Sequence, residues 1–183
     1  SLVASSPPQN PQYLMGLARF SSNGVLDMSF DADGIATAAF GEFVICNDIA
    51  IQADGKIVAA GAVSLISGAS LDLALVRFTS DGALDSQFSG GGKVSTSIGN
   101  FDDYARSVVV QPNGRILITG DTRANSDDTD FALARYDANG NVDATFGLNG
   151  SVVTAVRAVD SIGSVALEAD VRIVAAGAAG SSS

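Results

Sequence analysis

Residues 130–147, DFALARYDANGNVDATFG, repeat an arrangement that occurs twice earlier in the chain. One earlier copy includes residues 75–88, LVRFTSDGALDSQF. The arginine, aspartate and phenylalanine of the arrangement recur at intervals of 58 residues, as Arg19, Arg77 and Arg135, as Asp27, Asp85 and Asp143, and as Phe30, Phe88 and Phe146. A constant period of this size is typical of a repeat architecture, in which each unit buries its apolar face against its neighbours.

The composition predicts a folded, acidic chain. Its 183 residues are 46% hydrophobic, which is enough for one domain with a sizeable core. The net charge of -10 repels phosphate backbones, so we expect no nucleic-acid partner. We expect no membrane insertion either, because the apolar stretch 57–76 has a strongly charged equivalent at residues 116–134 in the next repeat. The chain has no histidine and one cysteine, which excludes a disulfide within the chain and zinc sites built on His or Cys.

Short apolar runs separated by Gly, Asn and Asp indicate strands and turns. Four strands are predicted per unit: A at residues 48–52, 105–111 and 163–167, B at 56–63, 115–121 and 172–178, C at 14–20, 72–78 and 130–136, and D at 35–40, 93–98 and 151–156. The A–B turns Asp54-Gly55 and Asn113-Gly114 are typical of tight hairpins. The third, Asp170-Val171, lacks the glycine, which predicts another turn type or a loosened hairpin.

Four antiparallel strands with short links predict an all-β, β-propeller-like fold with four-stranded antiparallel blades repeating every 58 residues. The strand order C-D, A-B-C-D twice, then A-B corresponds to two whole blades and two complementary half-blades. The predicted domain spans residues 14–180, with repeats at about 14–71, 72–129 and 130–180. Residues 1–13 are predicted to be a linker and residues 181–183 a tail.

Three phrases of the chain resemble the delta-60 repeat, a family of bacterial β-propeller-like repeats of unknown function. They are residues 130–147, residues 75–88 and VQPNGRILITG at residues 110–120. The resemblance covers roughly residues 14–180 and implies a propeller. It also implies an extracellular or bacterial cell-surface location, and it brings no catalytic residues.

The repeated arginines stand on half-apolar strand faces. Arg77 shares a face of strand C with Leu75, and Arg135 shares one with Leu133. A charge in such a place needs a partner, which predicts one structural Arg–Asp pair per blade, or an arginine that donates to loop carbonyls. The alternative is ligand recognition by the arginines. The three repeated phenylalanines are expected in equivalent packed positions.

One C–D loop has the spacing of the first half of a calcium loop. Oxygen-bearing side chains alternate around a glycine at Asp137, Asn139, Asn141 and Asp143. The equivalent loops offer fewer such side chains, and no bidentate glutamate follows. An Asx-stabilised turn is the alternative, and we expect no metal or other cofactor, with calcium as the one candidate.

The chain has few side chains suited to catalysis, and we expect no enzymatic activity and no catalytic residues. Without histidine, acid–base chemistry near neutral pH would need a carboxylate or lysine with a shifted pKa. Cys46 follows two apolar residues, which predicts a small buried thiol.

The loop between strands B and C differs most between the repeats. It is apolar at residues 62–70 and acidic at residues 121–129. Leu65 and Ile66 are therefore a candidate contact with another protein, with packing onto their own blade as the alternative.

The function predicted from these features is a non-catalytic structural or interaction module at the cell surface or secreted. Its half-blades are expected to pair with other copies of the chain or with flanking repeats, in a ring or a filament. The alternative is a ligand-binding propeller of lectin type with sites on the inter-strand loops, although the scarcity of aromatic residues counts against sugar stacking.

Overall fold

The computed structural model describes residues 13–125 and 128–181. Residues 1–12 of the predicted linker, residues 182 and 183 of the predicted tail and residues 126 and 127 of the acidic loop lie outside this part. Among the described residues, no helix is long and apolar enough to cross a membrane.

The strands form four units in chain order: a hairpin, two complete four-stranded units and a last hairpin. The first hairpin consists of β1 (Leu14–Ala18) and β2 (Ile35–Ala39). The second unit consists of β3 (Phe43–Ile51), β4 (Ile57–Ser64), β5 (Asp72–Phe78) and β6 (Lys93–Thr96). The third unit consists of β7 (Asp103–Val110), β8 (Ile116–Asn125), β9 (Asp128–Tyr136) and β10 (Ser151–Thr154). The last hairpin consists of β11 (Val159–Leu167) and β12 (Ile173–Gly180).

The predicted fold class is confirmed. Within both complete units the strands pair in sequential order and antiparallel, and each hairpin supplies the complementary half of such a unit. The last hairpin is joined to the third unit by one parallel pairing of β11 with β9, Val159 opposite Thr129. The helical structure in the described part of the chain is one 3-10 turn at Phe88–Gly90. We therefore call the units blades, numbered 1 to 4, of which blades 1 and 4 are half-blades.

The blades pack face to face, and the two-residue period of the strands divides their side chains between two cores. On β5, Leu73 and Leu75 belong to the core shared with blade 3, whereas Val76 and Phe78 belong to the core shared with blade 1. Blade 2 is therefore buried on both faces. This explains why its central strands β4 and β5 are nearly continuous apolar runs.

A β-bulge in β3 changes the predicted position of Cys46. The pairing of β3 with β4 shifts between Cys46 and Asp48, so one extra residue interrupts the alternation of faces. Cys46 is exposed, and the expectation of a buried thiol is wrong. Its neighbour Asn47 instead reaches blade 3, where its side-chain amide donates to the carbonyl oxygen of Ala105 at 2.7 Å.

The last A–B hairpin keeps its turn without the glycine. Val171 adopts a positive φ of 61°, and Gly55 and Gly114 have a φ of 83° at this position in the other blades. The strands remain paired from Leu167 opposite Ile173 onward, so neither a different turn nor a loosened hairpin is observed. A β-branched residue at positive φ carries backbone strain of about 1–3 kcal/mol.

We expect Val171→Gly to raise the free energy of unfolding by about 1 kcal/mol. Relief of the left-handed strain outweighs the larger conformational entropy that glycine loses on folding. Chemical denaturation monitored by circular dichroism measures the change. Val174→Gly, in the same hairpin, is the control and should lower stability. A stability of Val171→Gly at or below that of the original chain would contradict the prediction.

Candidate functional site

The repeated arginine, aspartate and phenylalanine form one cluster in each of the first three blades. In blade 2, Arg77 is the last but one residue of β5, and its Nε donates to Asp85 Oδ2 at 2.9 Å. Its guanidinium carbon lies 4.5 Å from the centre of the Phe88 ring. Lys56 also approaches Asp85, with 3.4 Å between Nζ and Oδ2. The carboxylate and the ring therefore hold the guanidinium from two sides.

The equivalent clusters have the same core geometry. The Nε to Oδ2 distance is 2.8 Å for Arg19 and Asp27 and 2.9 Å for Arg135 and Asp143. The guanidinium carbons lie 4.7 Å and 4.5 Å from the rings of Phe30 and Phe146 respectively. The structure thus brings together the arginine, aspartate and phenylalanine that the 58-residue period singles out.

Each cluster also reaches toward the next blade. Arg77 Nη1 donates to the carbonyl oxygen of Ala138, in the C–D turn of blade 3, at 2.5 Å. Arg19 Nη1 donates in the same way to the carbonyl oxygen of Ser80, in the C–D turn of blade 2, at 2.7 Å. Arg77 Nη1 also contacts Gln52 Oε1 at 3.2 Å. The arginine therefore ties its own blade to the following one.

A backbone hydrogen bond accompanies each arginine contact. The amide of Asp31 donates to the carbonyl of Asp81 at 2.7 Å, and the amide of Ser89 donates to the carbonyl of Asn139 at 2.8 Å. We call this contact the blade joint. In a blade joint, the Arg–Phe cluster of one blade and the backbone amide that follows its phenylalanine contact the C–D turn of the next blade. The C–D turns are residues 22–24, 80–82 and 138–140.

Close packing explains the glycine that ends the C–D turns of blades 2 and 3. A Cβ added to Gly140 would lie 2.6 Å from the Phe88 ring, and one added to Gly82 would lie 3.2 Å from the Phe30 ring. Both glycines also have positive φ, which other residues rarely adopt. Gly82 and Gly140, which are 58 residues apart in the sequence, are therefore part of the blade joint.

The three arginines differ in burial because their joints are complete to different degrees. The side chain of Arg77 is 3% exposed, that of Arg135 19% and that of Arg19 36%. Arg77 has both the glutamine of its own A–B hairpin and the turn of the next blade. In the described part of the chain Arg19 has the turn of the next blade but no such glutamine, and Arg135 has neither contact, so the environment differs although the local motif does not.

Phe146 departs from the sequence expectation. Phe30 and Phe88 are buried, with 1% and 0% exposure, whereas Phe146 is half-buried. The expected equivalence of the three phenylalanines does not extend to Phe146. No C–D turn of a following blade covers its ring among the described residues, which leaves one side open.

The aspartates of the clusters have lowered pKa values. Hydrogen bonds from Thr145, together with Arg135, lower the pKa of Asp143 to about 2. Burial would raise the pKa of Asp85, but the amide of Gln87 and the charges of Arg77 and Lys56 outweigh that effect and lower it. Both carboxylates are therefore ionised partners of the arginines at neutral pH.

The calcium candidates are engaged within their own turn. Asp137 Oδ1 accepts hydrogen bonds from the amides of Asn139 and Asn141, and Asp137 Oδ2 accepts one from the Asn141 side chain. Asp143 binds Arg135 and Arg115 instead. Within residues 13–125 and 128–181, no group of three or more His, Cys, Asp or Glu side chains is arranged to hold a metal ion. Calcium binding stays a prediction.

The divergent B–C loop presents its apolar residues to solvent. Leu65 and Ile66 are 49% and 68% exposed. The loop is closed by Ser64, whose hydroxyl contacts the carbonyl oxygens of Ile66 and Ala69. Leu65 and Ile66 therefore do not pack fully onto their own blade, which leaves them accessible to another protein.

Comparison with known families agrees with this geometry. The model of the domain of unknown function (DUF5122) beta-propeller family matches residues 52–88 and residues 111–146. Two segments of the chain, one in blade 2 and one in blade 3, are thus similar to this family of β-propeller repeats. The resemblance to the delta-60 repeat is thereby confirmed, and each match runs from the glutamine of an A–B hairpin to the phenylalanine of the blade joint. A search of curated proteins finds no match to the chain.

No role was predicted from the sequence for the glutamine that precedes the A–B turn, Gln52 in blade 2 and Gln111 in blade 3. Both glutamines are buried, and Gln52 bonds to Arg77. A signal was present, because the two glutamines stand at equivalent positions of their hairpins and the third copy has Glu168 there.

Proposed function

We propose that this chain is a non-catalytic structural module, secreted or at the bacterial cell surface, that assembles head-to-tail by completing its half-blades. Blade 1 contributes strands C and D, and blade 4 contributes strands A and B. In blades 2 and 3, strand B pairs with strand C along its length. The corresponding edges are β12 and β1, and two copies would supply one composite blade. The location rests on the family resemblance.

The outer faces of the half-blades support this assembly. Leu14 and Ile35 of the first hairpin are 48% and 47% exposed, and Val174 of the last hairpin is 50% exposed. In blade 2 the strands B and C, β4 and β5, are buried between the neighbouring blades. An apolar strand with an open edge and an open face is stabilised when another strand and another blade cover it.

The complete blades predict the register of the composite blade. In blade 2, Ala60 lies opposite Leu75, and in blade 3, Thr119 lies opposite Leu133. The equivalent residues at the two edges are Ala176 in β12 and Leu17 in β1. These two residues should therefore face each other across two copies of the chain.

Disulfide trapping tests this register. In a Cys46→Ser background, the double variant Leu17→Cys and Ala176→Cys should form intermolecular disulfides on mild oxidation, since cross-strand Cβ atoms lie about 4.5–5.5 Å apart. Non-reducing electrophoresis and light scattering report the products. A dimer as the largest product indicates a closed ring, and a ladder indicates a filament.

The matched control pairs Gly16→Cys with Ala176→Cys. A shift of one residue moves the side chain to the opposite face of the sheet, so this pair should cross-link poorly. Equal cross-linking of both pairs, or none with Leu17→Cys, would contradict the proposed assembly.

One observation favours the alternative, a ligand-binding propeller of lectin type. A cleft beside the B–C loop of blade 2 is lined by Tyr13, Phe43, Glu42 and Asp102 among others. The rings of Tyr13 and Phe43 meet edge to face at 4.8 Å. Aromatic rings beside carboxylates suit a sugar. A glycan array distinguishes the alternatives, because a structural module should give no specific signal.

A further inference from the structure

Blade 3 carries half of a blade joint whose other half is missing among the described residues. Arg135 and Phe146 are placed as in blade 2, but no carbonyl of a following C–D turn meets Arg135. Gln111 is 6% exposed, and its Oε1 atom is buried without a hydrogen-bond partner. In blade 2 the equivalent oxygen of Gln52 contacts Arg77, which is held by the carbonyl of Ala138.

Leaving a buried amide oxygen unpaired is unfavourable in a folded protein. The unpaired Oε1 atom of Gln111 therefore indicates that a hydrogen-bond donor belongs beside it. We call the open half-joint, formed by Gln111, Arg135, Phe146 and the amide of Gly147, the blade 3 socket.

The first hairpin carries the opposite half. Its C–D turn, residues 22–24, corresponds to residues 80–82 and 138–140, which fill the two complete joints. A Cβ added to Gly24 would meet no atom within 4 Å, in contrast to Gly82 and Gly140, which lie against phenylalanine rings. Gly24 has a positive φ of 81°, and Gly82 and Gly140 also have positive φ. The turn 22–24 therefore has the conformation of the turns in the complete joints, but no phenylalanine ring lies against its glycine in the described part of the chain.

We propose that the C–D turn 22–24 of a second copy of this chain docks into the blade 3 socket. By equivalence with the two complete joints, Arg135 Nη1 would donate to the carbonyl of Ser22, and the Gly147 amide would donate to the carbonyl of Asn23. Gly24 would lie against the ring of Phe146. The inference rests on the proposed assembly, because the composite blade is what carries the turn to this place.

Continuity with the existing interfaces selects a second copy as the occupant. The socket continues a series of joints between blades 1 and 2 and between blades 2 and 3. The chain itself supplies the turn that belongs to the next position in this series. Docking would give Arg135 a contact beyond its own blade, and it would cover the exposed side of Phe146.

Two substitutions on opposite sides of the contact test the inference. Gly24→Asn keeps a residue that tolerates positive φ but places a side chain where the Phe146 ring would lie. Gln111→Met removes the unpaired oxygen from the socket at similar volume. Sedimentation velocity over a concentration series should show the dissociation constant for self-association raised about tenfold or more by each.

Two controls separate assembly from folding. Gly68→Asn changes an exposed glycine that also has positive φ and open space, and it should leave self-association unchanged. Thermal melting of dilute protein should show Gln111→Met at least as stable as the original chain, since it removes an unpaired buried atom. Gln52→Met, which breaks a satisfied contact, should melt lower.

The outcomes distinguish this inference from the proposed function. If the original chain remains a monomer at every concentration, both are overturned. If the original chain assembles and both Gly24→Asn and Gln111→Met assemble with unchanged affinity, a different segment covers the socket, and the inference alone is overturned.

Discussion

Replacing Arg77 by alanine is expected to lower the free energy of unfolding by about 3 kcal/mol, the range found when one member of a buried ion pair is removed. The side chain of Arg77 is almost fully buried, and its loss leaves Asp85 with the more distant Lys56. It also removes the donor to the Ala138 carbonyl, which joins blades 2 and 3. The effect therefore combines a buried charge without its main partner and an interrupted blade joint.

The matched control is Arg19→Ala, the same residue in the same motif of blade 1. Its side chain is 36% exposed, so water replaces much of what the substitution removes, and the expected loss is below about 1 kcal/mol. Urea unfolding followed by fluorescence or circular dichroism measures both variants. Equal losses for Arg19 and Arg77, or a loss below about 0.5 kcal/mol for Arg77, would show that the burial of the joint contributes little to stability.

The second large effect is expected at Gly120, where β8 passes the bulge of β7. A Cβ built on Gly120 would overlap the carbonyl oxygen of Tyr104. The pairing of β7 with β8 shifts between Ala105 and Ser107, which brings the two backbones together at this point. Gly61 and Gly177 make the same close approach to Ile45 and Ser161. Glycine is required here for space, because Gly120 does not have positive φ.

We expect Gly120→Ala to lower the free energy of unfolding by about 3 kcal/mol, at the upper end of the range for overpacking. The overlapping atom belongs to the backbone of a paired strand and cannot rotate away. Gly16→Ala is the control, since a Cβ at Gly16 meets no atom within 4 Å. Differential scanning calorimetry of dilute protein compares the two. A melting temperature for Gly120→Ala equal to that of Gly16→Ala would contradict the inference that the β7 bulge leaves no space for a Cβ at Gly120.

Much of the fold was predictable because its signals are local. The 58-residue interval of the arginines, the apolar runs and the glycine turns predicted the strands within a few residues of those observed. The pairing of Arg135 with Asp143 was predicted as well, because eight residues around a tight turn bring strand C back beside its own loop. Such contacts depend on backbone conformation within one blade and recur wherever the motif recurs.

Two predictions about single residues were wrong, and both errors have local causes. Cys46 was expected to be buried by its apolar neighbours, but the bulge beside it moves it to the surface. Val171 was expected to change its turn, but the pairing of β11 with β12 holds it at positive φ. In both cases cross-strand hydrogen bonds outweigh the preference of a single residue, which periodicity and propensity do not include.

The sequence by itself determined the number of repeats, the strand order and the residues that each blade contributes. The tertiary structure alone decided which partners those residues meet across blades. Arg19, Arg77 and Arg135 have the same local motif, yet their side-chain exposure runs from 36% to 3% to 19%. Arg77 is the most buried of the three because Gln52 of its own blade reaches it, and because the Ala138 carbonyl of blade 3 meets it once the two twisted sheets have packed face to face.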